Sequence, residues 1–311
     1  VTRVAVVQAA PMLFDTPETL RRFETLLGEA TAAGAELVVF PEAFVGGYPK
    51  GTTFGATVGA RTDDGRALFA RYRRAAIDIP GPDLDRMRAA VAAQAGGLGD
   101  RSPGMSQAHV VVGVIERAGH TLYCTALLIA PDGTLLGHHR KLVPTGTERL
   151  IWGQGDASDV AVFDTDLGRV GMAICWENYM PLYRSELYRQ GVEIYVAPTV
   201  DTRDTWSATM RHIAVEGRCF VLSATQYAVR ADYPADFPLP DGEPVIRGGS
   251  CVADPFGTLL TGPVFDRRDV LVADLDLSLL DGAYLDLDVS GHYARPDLFQ
   301  LTTTRSPRRP T

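Results

Sequence analysis

The chain has 311 residues, 46% hydrophobic and 22% charged, with a formal net charge of −8. That is the composition of a folded globular protein of one large domain or two modest ones, and the negative balance argues against a nucleic-acid binder, which needs a basic face. The longest apolar runs, such as residues 110–115, are far too short to cross a bilayer, so no membrane partner is expected.

The N-terminus, VTRVAVVQAAP, passes directly into a strand pattern, and no signal peptide is expected. The β-branched run 4–9 reads as a buried strand ended by Pro11. Thr16-Pro17-Glu18 offers an N-cap, a proline at the first helical position and an acid in the first turn. Leu20, Phe23, Leu26 and Leu27 then share one helical face up to a cap at Gly34. Residues 36–40 (ELVVF) form the next strand, so the chain starts as a βαβ-like unit. Pro41-Glu42 follows at once. Glu42 therefore sits at the carboxyl end of a strand, a favoured place for chemistry in an α/β fold, although a loop acid is more often only solvated. The turn-rich loop 45–51 (VGGYPKG) has the character of a cleft wall, with Tyr48 as its aromatic. It lacks the spacing of a phosphate loop.

Two helices are expected next, over 64–77 and from Leu84 onward, and 96–107 reads as a loop. Strands follow at 109–116, 121–130 and 134–138. The polar stretch HHRKLVPTGTERLIWGQGD carries Lys141 and Glu148, both by default surface charges. His138 and His139 lack an acid and a third ligand at useful spacing and are read as structural or surface residues. Strands 160–165 and 170–174 lead to Cys175. A strand ending in Cys-Trp-Glu-Asn lifts a thiol out of the core, where a nucleophile is useful; a free cysteine also packs as a small hydrophobe, and Cys175 alone fits either role. A helix is expected over 181–190 with Leu182, Leu187 and Tyr188 inward, then a strand over 192–197. A second helix, 205–217, turns Trp206, Met210, Ile213 and Ala214 inward, and a strand over 219–223 follows. Residues 231–244 read as a surface loop and the stretches 249–253, 259–261 and 270–274 as short strands. The end is an ordered arm with Tyr293, Leu298 and Phe299, then a disordered tail from 302 to 311. A single domain over 1–301 is expected. The four cysteines, Cys124, Cys175, Cys219 and Cys251, are dispersed, with no C-x-x-C. Reduced thiols in a cytoplasm are expected, with no disulfides and no metal.

Four pieces now line up: PEAF around Glu42, HRKLVPTGTERLIWGQGD around Lys141 and Glu148, GRVGMAICWENYMP around Cys175, and TMRHIAVEGRCFVLSA. Together they resemble the nitrilase superfamily of carbon–nitrogen hydrolases, from Val4 to about Leu301. The forms CWENYMP, FVGGYPKG and SGHYARPDLFQL look like its nitrilase branch. The resemblance implies a four-layer αββα sandwich, with Glu42, Lys141 and Cys175 brought together at strand ends and Glu148 close by. It also implies a homodimer or larger homo-oligomer.

The implied chemistry is hydrolysis of a small nitrile by water to an acid and ammonia, with no metal and no organic cofactor. Cys175 attacks, Glu42 moves the protons, Lys141 stabilises the developing charge, and Glu148 orients Lys141 or the water. The backbone N–H of Trp176 adds a second donor. Tyr48, Trp176, Tyr179, Pro198, Thr199 and Trp206 adjoin the strand ends and are expected to line a pocket for apolar, aryl or arylalkyl nitriles. The rivals are an amidase or a cyanide dihydratase of the same fold and, from a different class, a non-catalytic thiol sensor or scaffold. By the same test Cys124, Cys219 and Cys251 gain no partners and stay structural.

Overall fold

Alternation along the strands sets the layers. In β1 (Thr2–Gln8) of the computed structural model, which describes residues 1–94 and 107–305, Val4 and Val6 face one side and Ala5 and Val7 the other. Both sides are apolar because both are covered. The chain continues through α1 (Thr16–Ala32), β2 (Leu37–Val39), α2 (Asp63–Ala75), α3 (Pro82–Gln94), β3 (His109–Ala118), β4 (Thr121–Ile129) and β5 (Leu135–Arg140). The second half holds β6 (Val162–Thr165), β7 (Gly168–Met172), α4 (Pro181–Arg189), β8 (Ile194–Val196), α5 (Asp204–Gly217), β9 (Phe220–Ser223), β10 (Tyr227–Ala228), β11 (Ile246–Ala253) and β12 (Leu259–Phe265). Then β13 (Asp269–Leu275) returns to the first sheet, and α6 (Leu279–Asp286) follows.

The first sheet has the order β13-β1-β2-β3-β4-β5; the second has β10-β11-β9-β8-β7-β6, with β12 on β11. In each, three strands run parallel: β1, β2 and β3 in one, β7, β8 and β9 in the other. Parallel neighbours need crossovers, and helices supply them. Helices α1 and α3 therefore cover the first sheet, where Phe23, Leu27 and Met87 meet Val7, Val38 and Val112. Helices α4 and α5 cover the second, where Leu187, Trp206 and Ile213 meet Tyr195, Ala197 and Val221. Between the sheets Val6, Val39 and Val111 pack toward Met172, Val196 and Leu222. The result is the expected αββα sandwich. Each fully buried large side chain in these three layers is worth about 1.5–3 kcal/mol.

Several local expectations are corrected. Asp15, not Thr16, caps α1: its carboxylate accepts from Glu18 N at 2.9 Å, while the Thr16 hydroxyl donates to Ala75 O. β5 extends to Arg140 and absorbs both histidines, because its backbone pairing with β4 continues through His138, His139 and Arg140; His138 meets Glu116 of β3 and His139 meets Glu177. Leu182 is 70% exposed; the inward face of α4 is Tyr183, Leu187 and Tyr188. The stretch 231–244 buries Tyr233 and Phe237 against Leu13 and Val200. β11, β12 and β13 are longer than the short strands expected, and α6 was not anticipated at all. Tyr293, Leu298 and Phe299 are exposed on the terminal arm. Arg305 reaches back to Glu186 at 3.1 Å. The stretch 96–106 of the expected loop and residues 306–311 of the expected tail lie outside the described residues. No helix among the described residues is long and apolar enough to cross a membrane.

Candidate active site

The carboxyl ends of β2, β7 and β8 and the end of β5 converge on one cleft. Glu42 follows β2. Its backbone passes so close to Gly113 of β3 that a Cβ there would lie 2.3 Å from Pro41 O and 2.7 Å from Glu42 Cα, so only glycine fits beneath it. Gln226 Nε2 donates to Glu42 O at 2.7 Å and holds the turn from the other sheet. The Glu42 side chain is fully buried.

Lys141 follows β5 directly. Its N–H donates to Cys124 O, which aims the side chain between the sheets, where it is 1% exposed. There Nζ donates to Glu42 Oε1 at 2.7 Å and to Glu148 Oε2 at 2.9 Å. Glu148 lies on the 3₁₀ turn Gly146–Leu150, and the same Oε2 accepts from Thr145 N at 2.7 Å. The T-x-x-E spacing of Thr145 and Glu148 is a helix-start signal legible in sequence. Tyr48 OH donates to Glu148 Oε1 at 2.9 Å. Gly47, at φ +86°, makes the turn that delivers Tyr48; a side chain there would also strike Leu13.

Cys175 starts the 3₁₀ turn Cys175–Tyr179 with φ +51°, a left-handed conformation that is strained for a residue with a Cβ. The turn is over-determined. Cys175 N donates to Pro198 O, and Asn178 Nδ2 donates to both Cys175 O and Ala173 O. The buried Glu177 carboxylate accepts from Ile174 N at 2.7 Å. Thr199, at the end of β8, donates its hydroxyl to Cys175 Sγ at 3.1 Å.

Burial disfavours charge on both the thiol and the Glu42 carboxyl. Burial first, then the neighbouring Glu42, pushes the Cys175 thiol well above its ordinary value, against the pull of Lys141 and Thr199. Burial likewise raises the Glu42 carboxyl, against the opposing effect of Lys141. Burial alone would favour a neutral Lys141 amine; Glu42, Cys175 and Glu148 outweigh it and keep the ammonium charged. Glu42 Oε1 is occupied, whereas Oε2 has no hydrogen-bond partner among the described residues. Burial thus favours the neutral thiol, beside a Glu42 carboxyl group whose Oε2 has no hydrogen-bond partner among the described residues and whose affinity for protons is raised.

The cleft around Cys175 is about 330 Å³, lined by Tyr48, Trp176, Val200, Lys50, Asp201 and Arg203 among others. Trp176 Nε1 donates to Asp201 at 2.9 Å, and the Arg203 guanidinium lies 4.8 Å above the indole. Lys50, Asp201 and Arg203 carry no signal of their own in the sequence, although the loop 45–51 holds the first and Pro198, Thr199 and Trp206 flank the other two. Thr199 touches Cys175 Sγ and Pro198 O accepts from Cys175 N. Tyr179 stands behind Trp176, edge-on at 5.6 Å, outside the cleft lining. Trp206 is corrected: it is 1% exposed in the core beneath α5, where Nε1 donates to Ser223 Oγ, because the helix turns its apolar face to the sheet. Cys124 is also corrected. Its Sγ lies 3.5 Å from Glu42 Oε1, a contact that long-range strand pairing creates. Among the described residues no cluster of three or more His, Cys, Asp or Glu is arranged to hold a metal ion.

A strained strand-end cysteine, a buried carboxyl group with an unpartnered oxygen and an ammonium bound to that carboxyl are the groups a thiol-dependent hydrolase needs. A family model described as carbon-nitrogen hydrolase matches residues 3–284, and the chain belongs to that family, in its nitrilase branch. It is 48% identical to a bifunctional nitrilase/nitrile hydratase of Lupinus angustifolius, over 99% of this chain and 87% of the relative. It is 50% identical to an aliphatic nitrilase of Sinorhizobium fredii (strain HH103), over 98% of this chain and 96% of that one. An amidase of the nitrilase superfamily from Nesterenkonia AN1 shares the fold with a TM-score of 0.67 at 19% identity, covering 96% of this chain and 95% of the other.

Proposed function

We propose that this chain is a nitrilase that converts a small organic nitrile to the carboxylic acid and ammonia on Cys175. One observation carries the mechanism: the buried, hydrogen-bonded Glu42–Lys141 pair acts on Cys175, which lines the cleft, and Glu42 Oε2 has no hydrogen-bond partner among the described residues. The Cys175 proton passes through Glu42 to the nitrile nitrogen as sulfur bonds to carbon, giving a thioimidate. Water adds with Glu42 as base. The nitrogen is protonated, the C–N bond breaks, ammonia leaves, and a second water hydrolyses the thioester. Lys141 and the Trp176 N–H stabilise charge on nitrogen and then on oxygen. Glu148, held by Tyr48 and Thr145, sets the position of Lys141. The named activities of relatives at 48–50% identity support the nitrile substrate; the amidase likeness, at 19%, bears on fold alone.

Tyr48, Trp176 and Val200 supply apolar surface for the substrate's side chain, while Lys50, Asp201 and Arg203 make the rim polar. Dimer assembly belongs to the same proposal. Exposed Leu182, Leu298 and Phe299 support it, and sedimentation would test it. The activity test is a panel of aliphatic, aromatic and arylacetonitriles and the matching amides, scored for ammonia, acid and amide. A quench followed by mass spectrometry of the peptide bearing Cys175 tests the intermediate. Ammonia from nitriles with an adduct on Cys175 is expected; turnover of amides only, or no adduct under any trapping condition, would overturn the proposal.

A further inference from the structure

Beneath the cleft lies a second buried charge cluster that the proposed chemistry does not use. The Glu177 carboxylate is fully buried and each of its oxygens carries a backbone donor from a different sheet strand end. Oε1 accepts from Leu142 N at 2.6 Å, the residue after Lys141. Oε2 accepts from Ile174 N at 2.7 Å, the residue before Cys175. Both oxygens also accept from His139 Nε2, at 3.1 and 3.0 Å. The other ring nitrogen, Nδ1, lies 3.2 Å from Asp159 Oδ1, and Asp159 Oδ2 accepts from Arg140 N at 3.1 Å, the residue before Lys141. The Tyr183 oxygen stands 3.1 Å from Nε2 while its hydroxyl donates to Met172 O. With carboxylates on both sides, the imidazole is held as an imidazolium despite its burial.

The backbone on both sides of Lys141 and the residue preceding Cys175 are therefore tied to one ion cluster. We propose that Glu177, His139 and Asp159 are positioning residues that fix the separation of Lys141 from Cys175, and through it the partition between acid and amide. The product consequence rests on the nitrile-hydrolysis proposal above.

The tetrahedral intermediate formed after water adds bears Sγ, a hydroxyl and an amino group. If the Glu42–Lys141 pair is in place, Glu42 takes the hydroxyl proton and a proton is delivered to nitrogen. The C–N bond then breaks, ammonia leaves with its electron pair, and the thioester remains. If the nitrogen is not protonated in time, the thiolate is the better leaving group. The C–S bond breaks instead, its electron pair goes to Sγ, the hydroxyl proton returns to sulfur through Glu42, and the amide is released. Loosening Lys141 from Cys175 thus slows turnover and diverts product to amide.

Glu177→Gln is the sharpest perturbation. Whichever way the new amide flips, its NH₂ faces either Leu142 N–H or Ile174 N–H, so one strand end loses its anchor. Asp159→Asn does the same to Arg140 N–H or His139, at a site whose side chain is 17% exposed. Both variants and the wild type are measured for kcat, KM and amide fraction on a nitrile, and for the iodoacetamide alkylation rate of Cys175. Near-UV circular dichroism checks the fold. Expected for Glu177→Gln are a kcat lower by tenfold or more, KM within threefold, an amide fraction at least threefold higher and slower alkylation. Asp159→Asn moves every quantity the same way by less. A folded Glu177→Gln with the wild-type amide fraction and alkylation rate would overturn the proposal, as would a rise in KM with kcat unchanged. If Glu177→Gln does not fold, Asp159→Asn decides by the same criteria. A wild type that releases neither acid nor amide from any nitrile would sink the functional proposal; the alkylation series would still decide the positioning role.

Discussion

Replacing Lys141 by Met is the most informative single perturbation, because it acts on stability and chemistry through the same two contacts. The Lys141 ammonium is fully buried, 2.7 Å from Glu42 and 2.9 Å from Glu148. Removing one partner of a buried ion pair costs about 3–5 kcal/mol, since the charge left behind is unpaired. Here two carboxylates are left facing each other. Glu42 can escape by taking up a proton. Its folded-state value already lies above the unfolded one, so between the two values the folded state binds more protons, and stability falls as pH rises through that window. Without Lys141 the window extends upward. The stability loss should therefore be larger at pH 8 than at pH 5. Lys141 in the wild type carries a raised value, so its own contribution is complete below about 10.4 and is lost only as pH climbs through the folded value; both test conditions lie where it is intact. Loss of a preorganised donor to the developing anion adds about 3–4 kcal/mol to the barrier, on the order of 10²–10³ in kcat. Urea midpoints at the two pH values and ammonia release from a nitrile measure both effects. Turnover within threefold of wild type would refute the assigned role, and an equal stability loss at both pH values would refute the electrostatic account.

Thr199→Val keeps the shape at the end of β8 but removes a hydroxyl that donates to Cys175 Sγ and accepts from Asp201 N at 2.9 Å; at about 1 kcal/mol for the bond to sulfur, alkylation of Cys175 at pH 7 should slow several-fold, and the Asp201 N–H left unpaired should lower stability by about 1–3 kcal/mol. An unchanged alkylation rate would show that the hydroxyl does not act on the sulfur. Trp206→Phe should cost about 1–3 kcal/mol through the lost bond to Ser223 and lost packing, with KM unchanged; a tenfold KM shift at near wild-type stability would return Trp206 to the pocket wall. His139 has its folded value raised to about 10 from an ordinary 6.5: burial opposes the charge, and Glu177 and Asp159 override it. A raised histidine stabilises fully below its unfolded value, and that contribution is lost as pH rises through the folded one. The wild-type urea midpoint should therefore decline between pH 6.5 and 10 and the decline should flatten in His139→Gln; a flat wild-type profile would count against the imidazolium.

Strand and helix identity in this chain is local, and so it was legible. The alternation in β1, the inward face of α5 at Trp206, Met210 and Ile213, and the Cys175 strand end all follow from spacing along the chain. Charge pairing is not local. His138 and His139 looked like surface or structural histidines. One lies against Glu116 of β3, 22 residues away, and the other between Asp159 and Glu177, because β5 pairs with β4 beside β3 and ends against the turn that starts at Cys175. Cys124 looked isolated for the same reason. The helical pattern that turns Leu182 inward fits either face of so short a helix, and packing of Tyr183 selects the other.

By itself the sequence determined the layered α/β class; it pointed to Glu42, Lys141, Glu148 and Cys175 as the corners of the site only through the joint resemblance of their motifs to the nitrilase superfamily, since each residue alone also fits a surface or packing role. Only the tertiary structure decided how those corners touch: which oxygen of Glu42 is taken by Lys141 and which stays free, that Thr199 reaches the sulfur, and that Trp206 belongs to the core. Residue type is set by what a group must do, whereas contact depends on two sheets folding face to face across more than a hundred residues of chain, and no spacing along one strand encodes that distance.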